Sequence, residues 1–168
     1  LRIDHDWQGW RVQGLLEGSN LNQETAGYIR GFEAYEDDDA REENPNPEAS
    51  RDAWTARGYL GFTRDWGADA EVTLRPYWRS NSMTFLQHYL PWKATESNRH
   101  RSLGLQAVAR GQRDRLTWLA GVDIDHTEGA LLEVQEAFFS PNQPDGVHYD
   151  YEVDADTLAG FANVTWEL

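Results

Sequence analysis

The chain has 168 residues, no cysteine, 26% charged residues and a formal net charge of −14. This length allows one domain or part of a larger one, and the acidic balance argues against a nucleic-acid binder, which needs a basic face. No stretch approaches the roughly 20 apolar residues of a membrane helix, and the lack of cysteine excludes disulfides, zinc-thiolate sites and a thiol nucleophile.

Apolar and polar residues alternate along most of the chain, which predicts strands rather than helices. The first predicted strand covers residues 10–16 and is followed by a short turn at residues 18–20. A second strand is predicted at residues 28–36, where the apolar face is ambiguous. The chain begins at Leu1 without a signal peptide, so we expect a processed protein or an excerpt.

The clearest alternation lies in residues 54–66 and 70–78, two predicted strands joined by a turn at residues 67–69. The pattern returns in two further strands around a second turn and in a last strand. These are residues 101–110 and 116–125 around the turn 111–114, and residues 157–168. Seven strands are therefore predicted, and all except residues 28–36 have one clearly apolar and one polar face.

The predicted connections alternate in length. The short turns contrast with long, proline-rich and charged connections at residues 37–51, 80–100 and 127–151. All short turns would lie at one end of the sheet, as in transmembrane barrels.

Tryptophans mark the two ends of the predicted apolar band. Trp54 and Trp78 are expected towards the long-loop rim, and Trp66, Trp118 and Trp166 towards the short-turn rim. Residues 54–66 span about 40 Å, or roughly 28 Å of depth when tilted by about 45°, near the height of such a band.

Two residues argue against the prediction that the apolar surface faces a membrane. Pro76 removes a hydrogen-bond donor from a predicted strand, and a bulge is the only expected accommodation. Arg64 falls on the apolar face, where a position near the rim would cost about 0–1 kcal/mol.

Four segments resemble TonB-dependent outer-membrane receptors. Residues 83–92 (MTFLQHYLPW), with Glu96 and residues 102–106 (SLGLQ), are similar to a loop between two early barrel strands of that family. Three shorter segments are similar to other barrel strands: residues 28–38 (YIRGFEAYEDD), 118–123 (WLAGVD) and 161–168 (FANVTWEL).

The resemblance implies an all-β fold, an antiparallel up-and-down transmembrane β-barrel of 22 strands closed by an N-terminal plug domain. Residues 1–168 would be about seven early strands of one barrel domain, with no plug among them. Seven strands leave two raw edges that neither water nor hydrocarbon tolerates, so the rest of the barrel or another copy must cover them.

The resemblance also implies a bacterial outer-membrane transporter that imports a scarce nutrient such as a ferric siderophore. Its partners would be outer-membrane lipid and lipopolysaccharide, the TonB system through the missing plug, and a small-molecule metal chelate. Two alternatives stay open: a small self-contained outer-membrane barrel of structural or adhesive type, and a soluble β-sandwich or lipocalin-like binder. A strand count that closes on itself favours the first alternative, and a polar outer face favours the second.

Ligand binding is predicted on the long-loop side, at Tyr77, Arg79, His88 and Tyr89, because arginine and aromatic groups suit a large, flat, anionic chelate. The polar face would line the lumen and carry arginine–acid ladders. Its predicted residues are Arg57, Tyr59, Glu71, Thr73, Arg75, Tyr77, Arg79 and Gln106.

Other polar clusters receive structural interpretations. One cluster could bind a hard metal, but rim hydrogen bonding is the preferred interpretation; it comprises Asp123, Asp125, His126, Glu128, His148, Tyr149, Asp150 and Tyr151. Residues 36–43 are predicted to be a solvated acidic loop. Without a G-x-S-x-G elbow or another triad signature, the chain is predicted not to be an enzyme, with no catalytic residues, metal or cofactor.

Overall fold

A computed structural model describes residues 1–25, 27, 29, 31–88 and 91–167. Within these residues, seven antiparallel strands form one sheet in chain order. The strands are β1 (Arg2–Trp7), β2 (Trp10–Glu24), β3 (Ser50–Asp65), β4 (Ala70–Leu86), β5 (Thr95–Arg113), β6 (Leu116–Gln135) and β7 (Gly146–Trp166). None of the described helices is long and apolar enough to span a membrane.

The start of the chain differs from the sequence prediction. β1 was not predicted; it pairs with β2 across a turn in which Gln8 and Gly9 adopt φ of 49° and 81°, the positive values that tight hairpin turns require. Residues 18–20, predicted as a turn, lie inside β2 because β3 pairs with them throughout.

The predicted strand at residues 28–36 is wrong where the structure describes it. Gly31 and Glu33 have φ of 132° and 52°, which interrupts an extended chain, and Ala34–Glu36 forms a 3₁₀ turn. Residues 28 and 30 lie outside the described residues. The acidic segment is also not a plain loop, because Asp37 caps α1 (Asp38–Glu42) by accepting hydrogen bonds from the Asp39 and Ala40 amides.

The predicted asymmetry of the connections is confirmed. Short turns at residues 8–9, 66–69 and 114–115 lie at one end of the sheet, and the longer connections 25–49, 87–94 and 136–145 lie at the other. The long connections are shorter than predicted because β4, β5, β6 and β7 continue past the alternating segments. Trp78 therefore lies near the middle of β4 instead of at the long-loop rim.

The register separates the two kinds of side chain onto opposite faces. One row across the sheet contains Ile3, Gly14, Leu60, Pro76, Leu105, Ile124 and Leu158. We call the face carrying this row the apolar face and the opposite one the polar face. Every tryptophan of a described strand lies on the apolar face: Trp7, Trp10, Trp54, Trp78, Trp118 and Trp166.

The apolar face is open. Leu60, Leu105, Ile124 and Leu158 are 47%, 39%, 48% and 75% exposed, and no described helix or second sheet packs on them. Polar-face side chains are more enclosed; that of Asp125 is only 13% exposed. This is the reverse of a sheet that packs its apolar side on a soluble core.

The apolar band slants across the sheet. The row through Trp54 becomes polar in the later strands, passing Ser82, Arg99, Ala130 and Glu152. On β7 the first apolar residue of this face is Leu158, six residues nearer the short-turn end than Glu152. The strands therefore cross the apolar band obliquely.

The sheet accommodates Pro76 and Arg64, the two residues that argue against a lipid-facing apolar surface. The register of β3 and β4 is the same before and after Pro76, so the expected bulge is absent there. Arg64 lies on the apolar face near the short-turn end, with its guanidinium 5.6 Å from the Trp10 ring centroid, within reach of a cation–π attraction.

The sheet is not closed. Among the described residues, β1 pairs only with β2 and β7 only with β6. The closure that would favour a small self-contained barrel is therefore not found in this part of the chain, nor is the second layer of a sandwich.

Candidate functional site

Of the described residues predicted to bind ligand, the structure brings Tyr77 and Arg79 together but not His88. Tyr77 and Arg79 lie on the polar face of β4 and both contact Asp125. His88 lies in the β4–β5 connection, roughly 30 Å along the strand at about 3.3 Å per residue, and Tyr89 lies outside the described residues. The site on the sheet is therefore centred on Tyr77, Arg79 and Asp125.

Asp125 is the centre of this polar-face network. The Tyr77 hydroxyl donates to its Oδ2 at 2.8 Å, and the Thr127 hydroxyl donates to its Oδ1 at 2.5 Å. An Arg79 guanidinium nitrogen lies 3.5 Å from Oδ1. Three donors around one carboxylate hold its orientation and that of the tyrosine ring.

Tyr77 reaches Asp125 across an intervening strand. The register places Tyr77 of β4, Gly104 of β5 and Asp125 of β6 in one row. A Cβ at Gly104 would lie 2.1 Å from Tyr77 Cζ, so the missing side chain leaves the path for the ring. Sequence reasoning found Tyr77 but not its partner, because that pairing depends on the register.

A hydrogen-bond chain extends from this centre across three strands. The Ser102 and Thr127 hydroxyls are 2.7 Å apart, Ser102 Oγ is 3.4 Å from His100 Nε2, and Asn81 reaches His100 Nδ1 at 3.3 Å. Although this resembles a serine–histidine pair, Ser102 is only 1% exposed and bonded to Thr127. A nucleophile needs access to its substrate, so the arrangement supports a structural role.

The short-turn end of the polar face carries the predicted arginine–acid ladder. Glu71 lies between Arg11 and Arg110, with N–O distances of 2.8 and 2.7 Å, and the Thr63 and Thr73 hydroxyls are 2.9 Å apart. Since both arginines are exposed, each pair contributes little singly, but together they link β2, β4 and β5.

Arg75 differs from its neighbours on this face. It lies over the Tyr59 ring at 5.1 Å, and no carboxylate of the described residues lies within ion-pair distance of it. It is therefore a cation available to an anionic ligand.

A second enclosed cluster lies under the long connections. Gln87 donates from Nε2 to Glu96 at 3.1 Å and to Glu133 at 3.0 Å. His148 places Nδ1 3.2 Å from Glu133 Oε1 and Nε2 2.8 Å from the Pro144 carbonyl oxygen. The cluster ties two connections together, and its members Gln87 and Glu133 were not found by sequence reasoning.

The acid–histidine cluster predicted around residues 123–128 and 148–151 is divided by the alternation of the strands. Asp123 and Asp125 lie on the polar face, whereas His126 and Glu128 lie on the apolar face. His148 bonds Glu133 instead. Asp123 Oδ1 is buried without a hydrogen-bond partner, next to Gln106 in the register.

An ion pair between connections has a measurable consequence. The Lys93 ammonium bonds the Glu48 carboxylate and lowers the pKa of that carboxyl. A lowered pKa means that the pair's contribution is present above the ordinary carboxyl pKa and is lost as pH falls through the lowered one. We expect an NMR titration of Glu48 to show a low midpoint that Lys93→Met raises; an unchanged midpoint would contradict the pairing.

No protein-family model, curated protein or solved structure matches this chain.

Proposed function

We propose that this chain is part of the barrel of a TonB-dependent outer-membrane receptor that imports a scarce nutrient, such as a ferric siderophore. One observation carries the proposal: the central row of the apolar face is exposed, while the networks around Asp125 and Glu71 lie on the opposite face. Lipid is the environment that such a sheet suits, because hydrocarbon solvates the apolar side chains and closure with the remaining strands of a barrel would satisfy the backbone at the two edges.

Four further features support a transmembrane barrel. The slanted band fits strands that cross a bilayer obliquely, and the connections are short at one end and long at the other. The strand tryptophans all lie on the apolar face, where Trp54, Trp118 and Trp166 occupy opposite ends of the band, as in aromatic girdles. The edges of β1 and β7 need further strands, which a larger barrel of 22 would supply.

Nutrient import is supported by the four sequence segments that resemble the receptors and by the chemistry of the polar face. Facing the lumen, Tyr77 and Arg79 are held in place by Asp125, and Arg75 offers a cation that has no acidic partner among the described residues. An anionic metal chelate suits arginine and aromatic groups. Import needs no covalent chemistry from the wall; the plug and the TonB system would supply gating.

Growth under iron limitation tests the proposal. The gene encoding this chain is introduced into bacteria that lack their own ferric-chelate receptors, and ferric hydroxamate and catecholate chelates are supplied one at a time. We expect growth on one class, only when TonB is functional, and reduced uptake for Arg75→Gln but not for Arg115→Gln in the β5–β6 turn. Absence of growth while the long connections are accessible to protease outside the cell would contradict nutrient import.

A further inference from the structure

A group of metal-ligand side chains lies on the apolar face, outside the polar-face site. It is located where β6 and β7 leave the apolar band towards the long connections. The register places His126 opposite Asp156, one step on this face beyond the row of Ile124 and Leu158, and Glu128 opposite Asp154, one step further.

The donor atoms of three of these residues converge. His126 Nδ1 lies 2.9 Å from Asp156 Oδ1 and 3.6 Å from Asp154 Oδ1, and one ligand atom from each residue lies within 4.8 Å of the others. Bonds of about 2.0–2.2 Å to a central zinc ion place neighbouring ligands about 3–3.5 Å apart. Small rotations of the aspartates would therefore complete the coordination.

We propose that His126, Asp154 and Asp156 bind a divalent first-row transition-metal ion such as Zn²⁺. The combination of one nitrogen and two oxygen donors indicates this class of metal ion, because imidazole suits zinc and neighbouring transition metals, whereas calcium and magnesium take oxygen ligands. Two neighbouring strands present the three groups, so the spacing is set by the sheet.

A carboxylate also lies near the second nitrogen of His126, although beyond hydrogen-bond distance. Its second nitrogen, Nε2, faces Glu128 Oε1 at 3.9 Å, and Arg101 holds Glu128 at 2.8 Å. A metal-ligating histidine commonly directs its other N–H to a carboxylate, which orients the ring. In this site the metal would replace the hydrogen bond between Nδ1 and Asp156, while Nε2 stays directed towards Glu128.

The local charge also favours a cation. Acidic side chains on this part of the apolar face outnumber the basic ones: Glu128, Asp150, Glu152, Asp154 and Asp156 stand against Arg99 and Arg101. An adjoining groove of about 680 Å³ includes Asp154 and Glu128 in its lining, so water can reach the ion and fill its remaining positions. The site does not depend on the proposed transport function.

Isothermal titration of the purified, folded protein that contains this chain, with ZnCl₂ and with CaCl₂, tests the site. We expect one zinc to bind more tightly than calcium, and at least a tenfold weakening of zinc binding in His126→Gln and in Asp154→Asn. Glu152→Gln removes the same charge from a neighbouring position of β7, and His5→Gln removes an exposed histidine of the same face; both should stay within about twofold.

Two results would overturn the site. Equal weakening by Glu152→Gln and Asp154→Asn would mean that zinc is attracted only by the acidic surface. Unchanged affinity in His126→Gln would exclude imidazole as a ligand. Because a variant could lose its fold, NMR of the unaltered chain provides a second measurement: zinc should shift the ring signals of His126 and leave those of His5 unchanged, and the absence of that difference would also overturn the proposal.

Discussion

Leu105→Arg should destabilise the chain assembled in phospholipid vesicles by about 2–4 kcal/mol, because a charged side chain on the lipid face near the bilayer centre loses its hydration. Leu105 belongs to the central row of the apolar face and is 39% exposed. In water the same substitution at an exposed site should change the free energy of unfolding by no more than about 0.5 kcal/mol. Denaturant unfolding followed by tryptophan fluorescence, in vesicles, measures the difference.

The neighbouring residue is the matched control. Gln106 lies on the polar face beside Asp123, whose Oδ1 has no hydrogen-bond partner, so Gln106→Arg should be tolerated. If Leu105→Arg is as stable as the unaltered chain, or the purified chain is soluble and monomeric without detergent, the apolar face does not contact lipid and the receptor proposal fails.

Gly104→Ala should destabilise the sheet by about 2 kcal/mol, the scale of a lost hydrogen bond to a charged group. The new methyl group would occupy the path of the Tyr77 ring, whose Cζ and hydroxyl oxygen would lie 2.1 and 2.3 Å from it. The ring must therefore move and release Asp125. Chemical denaturation measures the loss, and NMR reports the Tyr77 ring position.

Gly160→Ala is the control for this substitution, because a Cβ there meets nothing within 4 Å. Gly160 lies in β7, so both glycines share the strand environment, and its replacement should be neutral or slightly stabilising. A double-mutant cycle separates the causes: in a Tyr77→Ala background, Gly104→Ala should cost almost nothing. A full penalty in that background would mean that backbone strain, and not the tyrosine, causes the loss.

Much of the fold was predictable from local pattern. Residues 54–66 and 70–78 alternate so regularly that β3, β4 and their turn follow from the side-chain period of two. β1 was not predicted because Arg2–Trp7 is short and mostly polar on one face, and because its turn depends on the positive φ angles of Gln8 and Gly9. The strand predicted at residues 28–36 is wrong for the opposite reason: the residue pattern resembles a strand, but Gly31 and Glu33 adopt positive φ angles that interrupt one.

The candidate site was predictable only in part. Tyr77 and Arg79 were placed correctly on the polar face, since alternation assigns the face of each strand residue. The sequence pattern predicts His88 beside them because all three residues lie towards a long connection. In the structure β4 continues to Leu86, so His88 lies beyond the end of the strand and far from Tyr77 and Arg79.

By itself, the sequence determined the all-β class, the long hairpins and the apolar side of each ribbon, because neighbouring side chains in a strand point to opposite faces. Only the tertiary structure decided which distant residues meet. Asp125 joins Tyr77 across Gly104, and His126 meets Asp154 and Asp156, through the pairing of β4, β5, β6 and β7. A register shift of one residue would move every partner to the other face, and alternation within one strand contains no information about that choice.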